Sequence, residues 1–272
     1  MKYIFFLLFL FKFNTVRSQR MVDLISNDMD ASVVSSIDAG PSSIKSNPAL
    51  ATIAKNSMVG LYAENRYGLI DLGLVRVSGL MPIFKDQALV LNWTRMGTNE
   101  YHEDRMDIGF ARKLNEKTSL GISGGIERYT KSKMDIVYAP RASVGFFFKP
   151  NSKSEFGFVF QNPWEPFFTH VDGRSSGTIF MLGFGYHPSS QIHLKMDVNK
   201  GINTDWNLLI GATLHVSPKM CVQYNFHSQS YAHHLGAVLH RKKGSLRIYF
   251  SYQSMLGVSG GSGIFFTKKQ RE

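Results

Sequence analysis

The chain has 272 residues, 43% of them hydrophobic and 19% charged, with a formal net charge of +11. Past the amino terminus no run approaches the roughly 18 continuous apolar positions of a membrane-spanning helix, so any passage through a bilayer falls to strands. A single cysteine, Cys221, excludes an intramolecular disulfide.

Met1 to Gln19 reads as an export leader, with a basic start at Lys2, an apolar run from Tyr3 to Phe11 and a cleavage site after Ser18. Its loss removes Lys2, Lys12 and Arg17 and lowers the net charge to about +8. Residues 20–55 then precede the repeats, rich in Ser, Asp, Gly and Pro from Ser35 to Ser46. Inside this segment Asn47-Pro48-Ala49-Leu50-Ala51 sets a capping Asn before a Pro at the first helical position. That order predicts a short helix over 48–55, entering the mouth of the following domain or leaning on its wall.

Residues 56–267 are built from apolar-alternating stretches separated by turns. Ile192, Leu194, Met196 and Val198 alternate with His193, Lys195, Asp197 and Asn199, and Phe156, Phe158 and Phe160 oppose Glu155, Gly157 and Gln161. Leu246, Ile248, Phe250 and Tyr252 repeat the pattern against Arg247, Ser251 and Gln253. Period two is the mark of a strand. Polar turns at 113–117, 149–153, 187–191, 215–219 and 240–244 join the stretches into hairpins.

Strands are predicted near 56–65, 68–80, 87–95, 105–114, 118–128, 140–149, 153–162, 176–187, 190–200, 205–216, 219–229, 231–241, 244–254 and 260–267. The count is about fourteen, an even number that returns both ends to one side. Alternation slips near Arg76, which makes the first strands the least regular. The polar turns fall on the periplasmic side. Longer connections at 96–104, 129–139 and 163–175, with short ones at 201–204 and 256–259, lie opposite, and a basic tail occupies 268–272.

A secreted β-sandwich would also alternate, because each of its sheets has one wet face. Three features favour a transmembrane, antiparallel, up-and-down β-barrel with a short amino-terminal plug segment: Phe-rich outward faces opposite polar or glycine-rich ones, strands of about ten residues, and the leader. Outer-membrane lipid is then the first partner. Trp93, Trp164, Trp206, Tyr186 and Tyr252 near strand ends suit the two water interfaces. Lys and Arg gathered at turns and tail suit a rim against anionic headgroups, and no nucleic-acid motif is present.

By this register the lumen carries Arg105, Asp107, Glu127, Arg141, Glu155, Lys195, Asp197 and Arg247, four of each sign. Balanced charge predicts a salt-bridge network across the lumen, whereas a selective ion pore biases one sign. Glycines inside strands, Gly124-Gly125 and Gly260-Gly261, are places where a wall can kink open, although small residues also let a narrow barrel fill itself.

Nothing points to an enzyme or to a cofactor. Gly121-Ile-Ser-Gly-Gly125 falls inside a regular strand and Gly257-Val-Ser-Gly-Gly261 in a short loop, neither forming a nucleophile elbow. His233 and His234 are neighbours on a strand and point to opposite faces, so they cannot share an ion. His187, His215 and His240 open turns and belong to the interface ring, and no metal site is expected.

The Asn47-Pro48-Ala49-Leu50-Ala51 segment, followed by hairpins with outward Phe residues, resembles the FadL-like outer-membrane proteins, and within them the PorV/PorQ-like branch associated with type IX secretion. The spacing is one residue tighter than the family's Asn-Pro-Ala-x-Leu-Ala, the chain is shorter, and its last aromatic residue is Phe266 rather than the terminal one. The resemblance implies a fourteen-stranded barrel with the amino-terminal segment packed inside. It also implies one of two roles in the outer membrane of a Gram-negative cell: passage of hydrophobic small molecules, or a partner barrel for a secretion-system protein.

Overall fold

A computed structural model describes residues 32–34, 40–41, 45–131, 136–163, 177–201 and 205–268. The leader, most of 20–44, Trp164 with nearly all of the predicted 163–175 connection, and residues 269–272 lie outside the described residues.

A 3₁₀ helix, Pro48–Ile53, precedes fourteen strands: β1 Ser57–Arg66, β2 Leu69–Phe84, β3 Gln87–Gly97, β4 Tyr101–Lys113, β5 Thr118–Lys131, β6 Val137–Phe148, β7 Ser154–Gln161, β8 Ile179–Tyr186, β9 Ile192–Gly201, β10 Asn207–Ser217, β11 Met220–His227, β12 Ala232–Arg241, β13 Gly244–Gln253 and β14 Gly257–Lys268. Each pairs antiparallel with its sequence neighbours, and β1 pairs with β14 from Ser57↔Lys268 to Asn65↔Gly260. The sheet is therefore a closed up-and-down barrel, with no edge left to pair with another chain.

The short turns share one end. Asn115 and Asn151 fold their turns locally, each side-chain oxygen accepting from the backbone two residues on, Lys117 N at 2.9 Å and Lys153 N at 2.8 Å. Successive turns are also stitched together: Lys149 N, His187 N, His215 N and His240 N donate to the carbonyls of Lys117, Lys153, Gln191 and Lys219 at 2.7–2.8 Å. At the opposite, long-loop end Tyr67 (φ 55°) and Gly68 (φ 69°) form a two-residue hairpin turn of the kind that matches strand twist.

Alternation sorts the side chains by face. Phe250, Ile108, Leu182 and Ile122 are about 60% exposed on the outside, while Glu155, Asp197, His193 and Asn225 are buried within. An apolar belt carried by every strand of a closed barrel has a bilayer as its natural solvent. Trp206, Tyr186 and Tyr252 stand exposed at strand ends, whereas Trp93 lies well inside β3.

Several boundaries differ from expectation. The polar run Asn99–Asp104 looks like a long loop, yet only 98–100 lies outside strands, because Glu103 and Arg105 continue the inward face of β4. Gly257–Gly261 belongs to β14 and not to a loop, and the turn before it is 254–256. The register does not slip at Arg76, which is buried and inward. The irregularity sits between Glu64 and Arg66. The apparent slip arises because Leu74 and Leu80 also face inward, so β2 is apolar on both faces. The predicted helix over 48–55 is a 3₁₀ helix that ends at Ile53.

Phe158, on the outer face at the middle of β7, gives a direct test of orientation. Phe158→Arg is expected to lower stability in a bilayer by about 2–4 kcal/mol. Ser152→Arg, in an exposed turn, is expected to stay within about 0.5 kcal/mol. Reversible urea unfolding in lipid vesicles reads both.

Candidate functional site

Asn47 organises the short-turn half of the lumen. Its Nδ2 donates to the Val33 carbonyl at 2.9 Å and to the Phe146 carbonyl at 3.1 Å, and its Oδ1 accepts from Ala49 N at 3.0 Å. One side chain thus caps the 3₁₀ helix, holds Val33 and anchors both to β6. Pro48 follows because its fixed φ and missing N–H suit a first helical position. Pro48, Ala49, Leu50 and Ala51 are all buried. Leu50 packs with Phe147, and Ala51 with Leu80, Ala88, Val90 and Ala111. Thr52 Oγ1 donates to Ser119 Oγ at 2.7 Å.

The wall is shaped to receive this segment. Gly121 on β5 is paired with Gly145 on β6, and Gly157 on β7 with Gly183 on β8. A Cβ at Gly121 would overlap Pro48 and Ala49, and one at Gly145 would overlap the Asn47 side chain and Pro48. At Gly157 and Gly183 it would overlap Val33. Glycine weakens a strand unless something must approach its backbone closely, and here the approaching body is the chain's own amino-terminal segment. Asp197 Oδ2 completes the seat by accepting from Val33 N at 3.2 Å.

All eight predicted lumen charges face inward, and the ion pairs that Arg105, Asp107, Glu127, Arg141 and Glu155 make among the described residues run within a strand or between nearby strands. Arg105, Asp107, Glu127 and Arg141 gather on β4, β5 and β6, near the long-loop half. Arg105 Nε donates to Asp107 Oδ2 at 2.6 Å and lies 4.0 Å from Glu127, which also accepts from Arg141 and, at 2.7 Å, from Tyr129. Glu155 sits apart with Lys149 Nζ at 2.6 Å, His187 Nε2 at 2.9 Å and His193 Nε2 at 3.9 Å. His187 is therefore a lumen residue and not a member of an interface ring. Asp197 serves the Val33 seat, Lys195 is buried beneath Gly211, and the Arg247 guanidinium lies 4.5 Å from the Phe265 ring centroid. Ion pairs run along the wall because neighbouring strands bring side chains within reach and the opposite wall does not.

Two further sets of lumen residues escaped the sequence reading. Tyr62 and Tyr249 stack at 5.6 Å with an interplanar angle of 8°, and Arg76 covers Tyr62 at 5.3 Å while its Nε donates to Thr94 Oγ1 at 3.2 Å. A Cβ at Gly261 would meet the Tyr249 ring at 2.5 Å, so the glycines of β14 make room for rings rather than open the wall. Gly124, Gly125, Gly260 and Gly261 all lie in continuous ladders. The second set is apolar: Leu74, Met96, Tyr129, Val137 and Ala139 cluster at the long-loop end with Tyr62 against them. Met96 and Val137 lie closer to the strand ends than Arg105, Glu127 and Arg141 do. From that end the β2–β6 side of the lumen presents an apolar cluster with the buried Glu103 between Met96 and Tyr129, then a charged belt, then the amino-terminal segment.

No family model and no curated protein matches the chain. Among solved structures it is similar to a monoaromatic hydrocarbon channel, CymD, with a TM-score of 0.64 and 11% identity over 91% of this chain and 97% of that one. A Pseudomonas putida toluene transporter, TodX, has a TM-score of 0.64 and 9% identity over 85% of this chain and 94% of that one. A Pseudomonas aeruginosa FadL homologue has a TM-score of 0.58 and 12% identity over 84% and 93%. At these identities the likeness is one of fold.

Gly145→Val would drive a side chain into Asn47 and Pro48, an overpacking expected to cost about 1–3 kcal/mol if the segment stays. Release of the segment is the easier response, so conductance in planar bilayers should rise above the wild-type level. Gly79→Val, where a Cβ meets nothing within 4 Å, should leave conductance unchanged.

Proposed function

We propose that this protein is a non-enzymatic channel of the outer membrane that admits small hydrophobic molecules, exported by its 1–19 leader and closed on the periplasmic side by its 20–55 segment. The observation that carries this reading is the apolar cluster of Leu74, Met96, Tyr129, Val137 and Ala139 inside the barrel at its long-loop end. These side chains are packed against one another and almost fully buried, so an apolar molecule of one ring would enter by parting them and would then be surrounded by apolar groups. Below it the Arg105–Asp107–Glu127–Arg141 belt is neutralised within itself, so it sets no strong field that would draw ions of one sign. Similarity in fold to channels described as carrying monoaromatic hydrocarbons supports the same class of cargo.

The test is uptake by intact cells, because the lipopolysaccharide leaflet, and not phospholipid, is the barrier to apolar solutes. Expression in a Gram-negative host without hydrocarbon channels of its own should raise the initial rate of radiolabelled toluene uptake and leave that of a pentose unchanged. Met96→Asp places a second carboxylate beside Glu103 within the apolar cluster and should lower the toluene rate by about tenfold, the factor equivalent to about 1.4 kcal/mol of lost binding. Equal rates with and without the protein would exclude this function.

A further inference from the structure

A cluster at the short-turn end takes no part in the passage of apolar molecules. Glu155 on β7, His187 directly after β8 and His193 on β9 converge inside the barrel, and their ligand atoms all lie within 4.8 Å of one another. No side chain of the three is more than 10% exposed. The two imidazole rings stack in parallel, 4.2 Å apart at 5°, so their Nε2 atoms reach the same carboxylate from one direction, at 2.9 and 3.9 Å from its two oxygens. We propose that Glu155, His187 and His193 bind a divalent transition-metal cation, with Zn²⁺ as the best fit.

The donor set supports that assignment. Zinc takes imidazole nitrogen and carboxylate oxygen at about 2.0–2.2 Å in a tetrahedron, which sets ligand atoms about 3.2–3.6 Å apart. The His187 and His193 Nε2 atoms lie 2.9 and 3.9 Å from different oxygens of the one carboxylate, and because the rings are stacked in parallel one imidazole must turn out of the stack for both lone pairs to meet on one ion. Two histidines and one carboxylate leave the fourth position to water. His193 is 1% exposed, and its Nε2, aimed at the cluster, has no hydrogen-bond partner among the described residues. A buried imidazole nitrogen left in this way is unfavourable unless something binds it. Gly185 keeps the space open, since a Cβ there would lie 3.0 Å from His193 Nε2 and 3.4 Å from Glu155 Oε2.

Lys149 is the competing cation. Its Nζ holds Glu155 Oε1 at 2.6 Å, yet its side chain is 37% exposed and can swing out to solvent. An ammonium that neutralises the carboxylate in the absence of metal would have to leave when metal enters. Gly157 and Gly183, which seat Val33, are each two residues from Glu155 and Gly185 along the same strands. A bound cation would thus tie β7, β8 and β9 together at the foot of that seat.

The experiment is calorimetric titration of ZnCl₂ into untagged, chelator-stripped full-length protein in detergent, with folding checked by heat-modifiable gel mobility. One Zn²⁺ per barrel is expected, with binding weaker by about a hundredfold in His187→Gln and His193→Gln and unchanged in His215→Gln. Lys149→Met should bind more tightly than wild type, a response that adventitious surface histidines would not give. Absence of a stoichiometric site, or equal affinity in wild type and both glutamine variants, would overturn the assignment. Should the glutamine variants fail to fold, wild type and Lys149→Met decide alone: a missing site, or no gain in affinity, overturns it equally.

Discussion

The pairing of β1 with β14 is the constraint on which the rest of the molecule depends. Once the sheet closes, no strand edge is left open, and each strand must divide its side chains between a face turned outward and a face turned in. Outward residues are free to be apolar because a bilayer solvates them. Inward residues inherit a harder problem. Eight strands enclose a space that side chains can fill and sixteen leave a water-filled channel, so fourteen enclose more than the wall alone can occupy.

The chain meets that problem with three kinds of filling, and each depends on glycine or on local pairing. The amino-terminal segment lies on the paired glycines of β5 to β8, held by Asn47. The Tyr62–Tyr249 stack occupies the space left by the glycines of β14. Arginines and carboxylates on adjacent strands neutralise one another, which is the condition for keeping ions away from bulk water. At the long-loop end lies the Leu74, Met96, Tyr129, Val137 and Ala139 cluster, on which the proposal of an apolar cargo rests.

Strand number, hairpin order and the division of faces were legible in the sequence because period-two alternation is local and the Asn-containing turns carry their own hydrogen bonds. The Asn47-Pro48-Ala49 cap was equally local. Less legible was everything that needs register between strands. Gly121 and Gly145 are 24 positions apart in sequence and become a seat only when their strands pair. Leu74, Leu80 and Met96 hid because an apolar residue on the inward face looks like a break in alternation and not like a lining. Polar Asn99–Asp104 imitated a loop for the converse reason. His187 was assigned to the rim by its place at a turn, and only the register of β7, β8 and β9 brings it to Glu155 and His193.

Hydrogen exchange of the protein in lipid nanodiscs, read at Val33, Ala49 and Leu50, tests the filled lumen most directly. The amides of these residues are bonded to Asp197, to the Asn47 side chain and to the Asn47 carbonyl. Exchange as slow as that of the strands that seat them is the predicted result. Exchange as fast as that of the exposed 114–117 turn, with the strands still protected, would contradict an amino-terminal segment docked in the barrel.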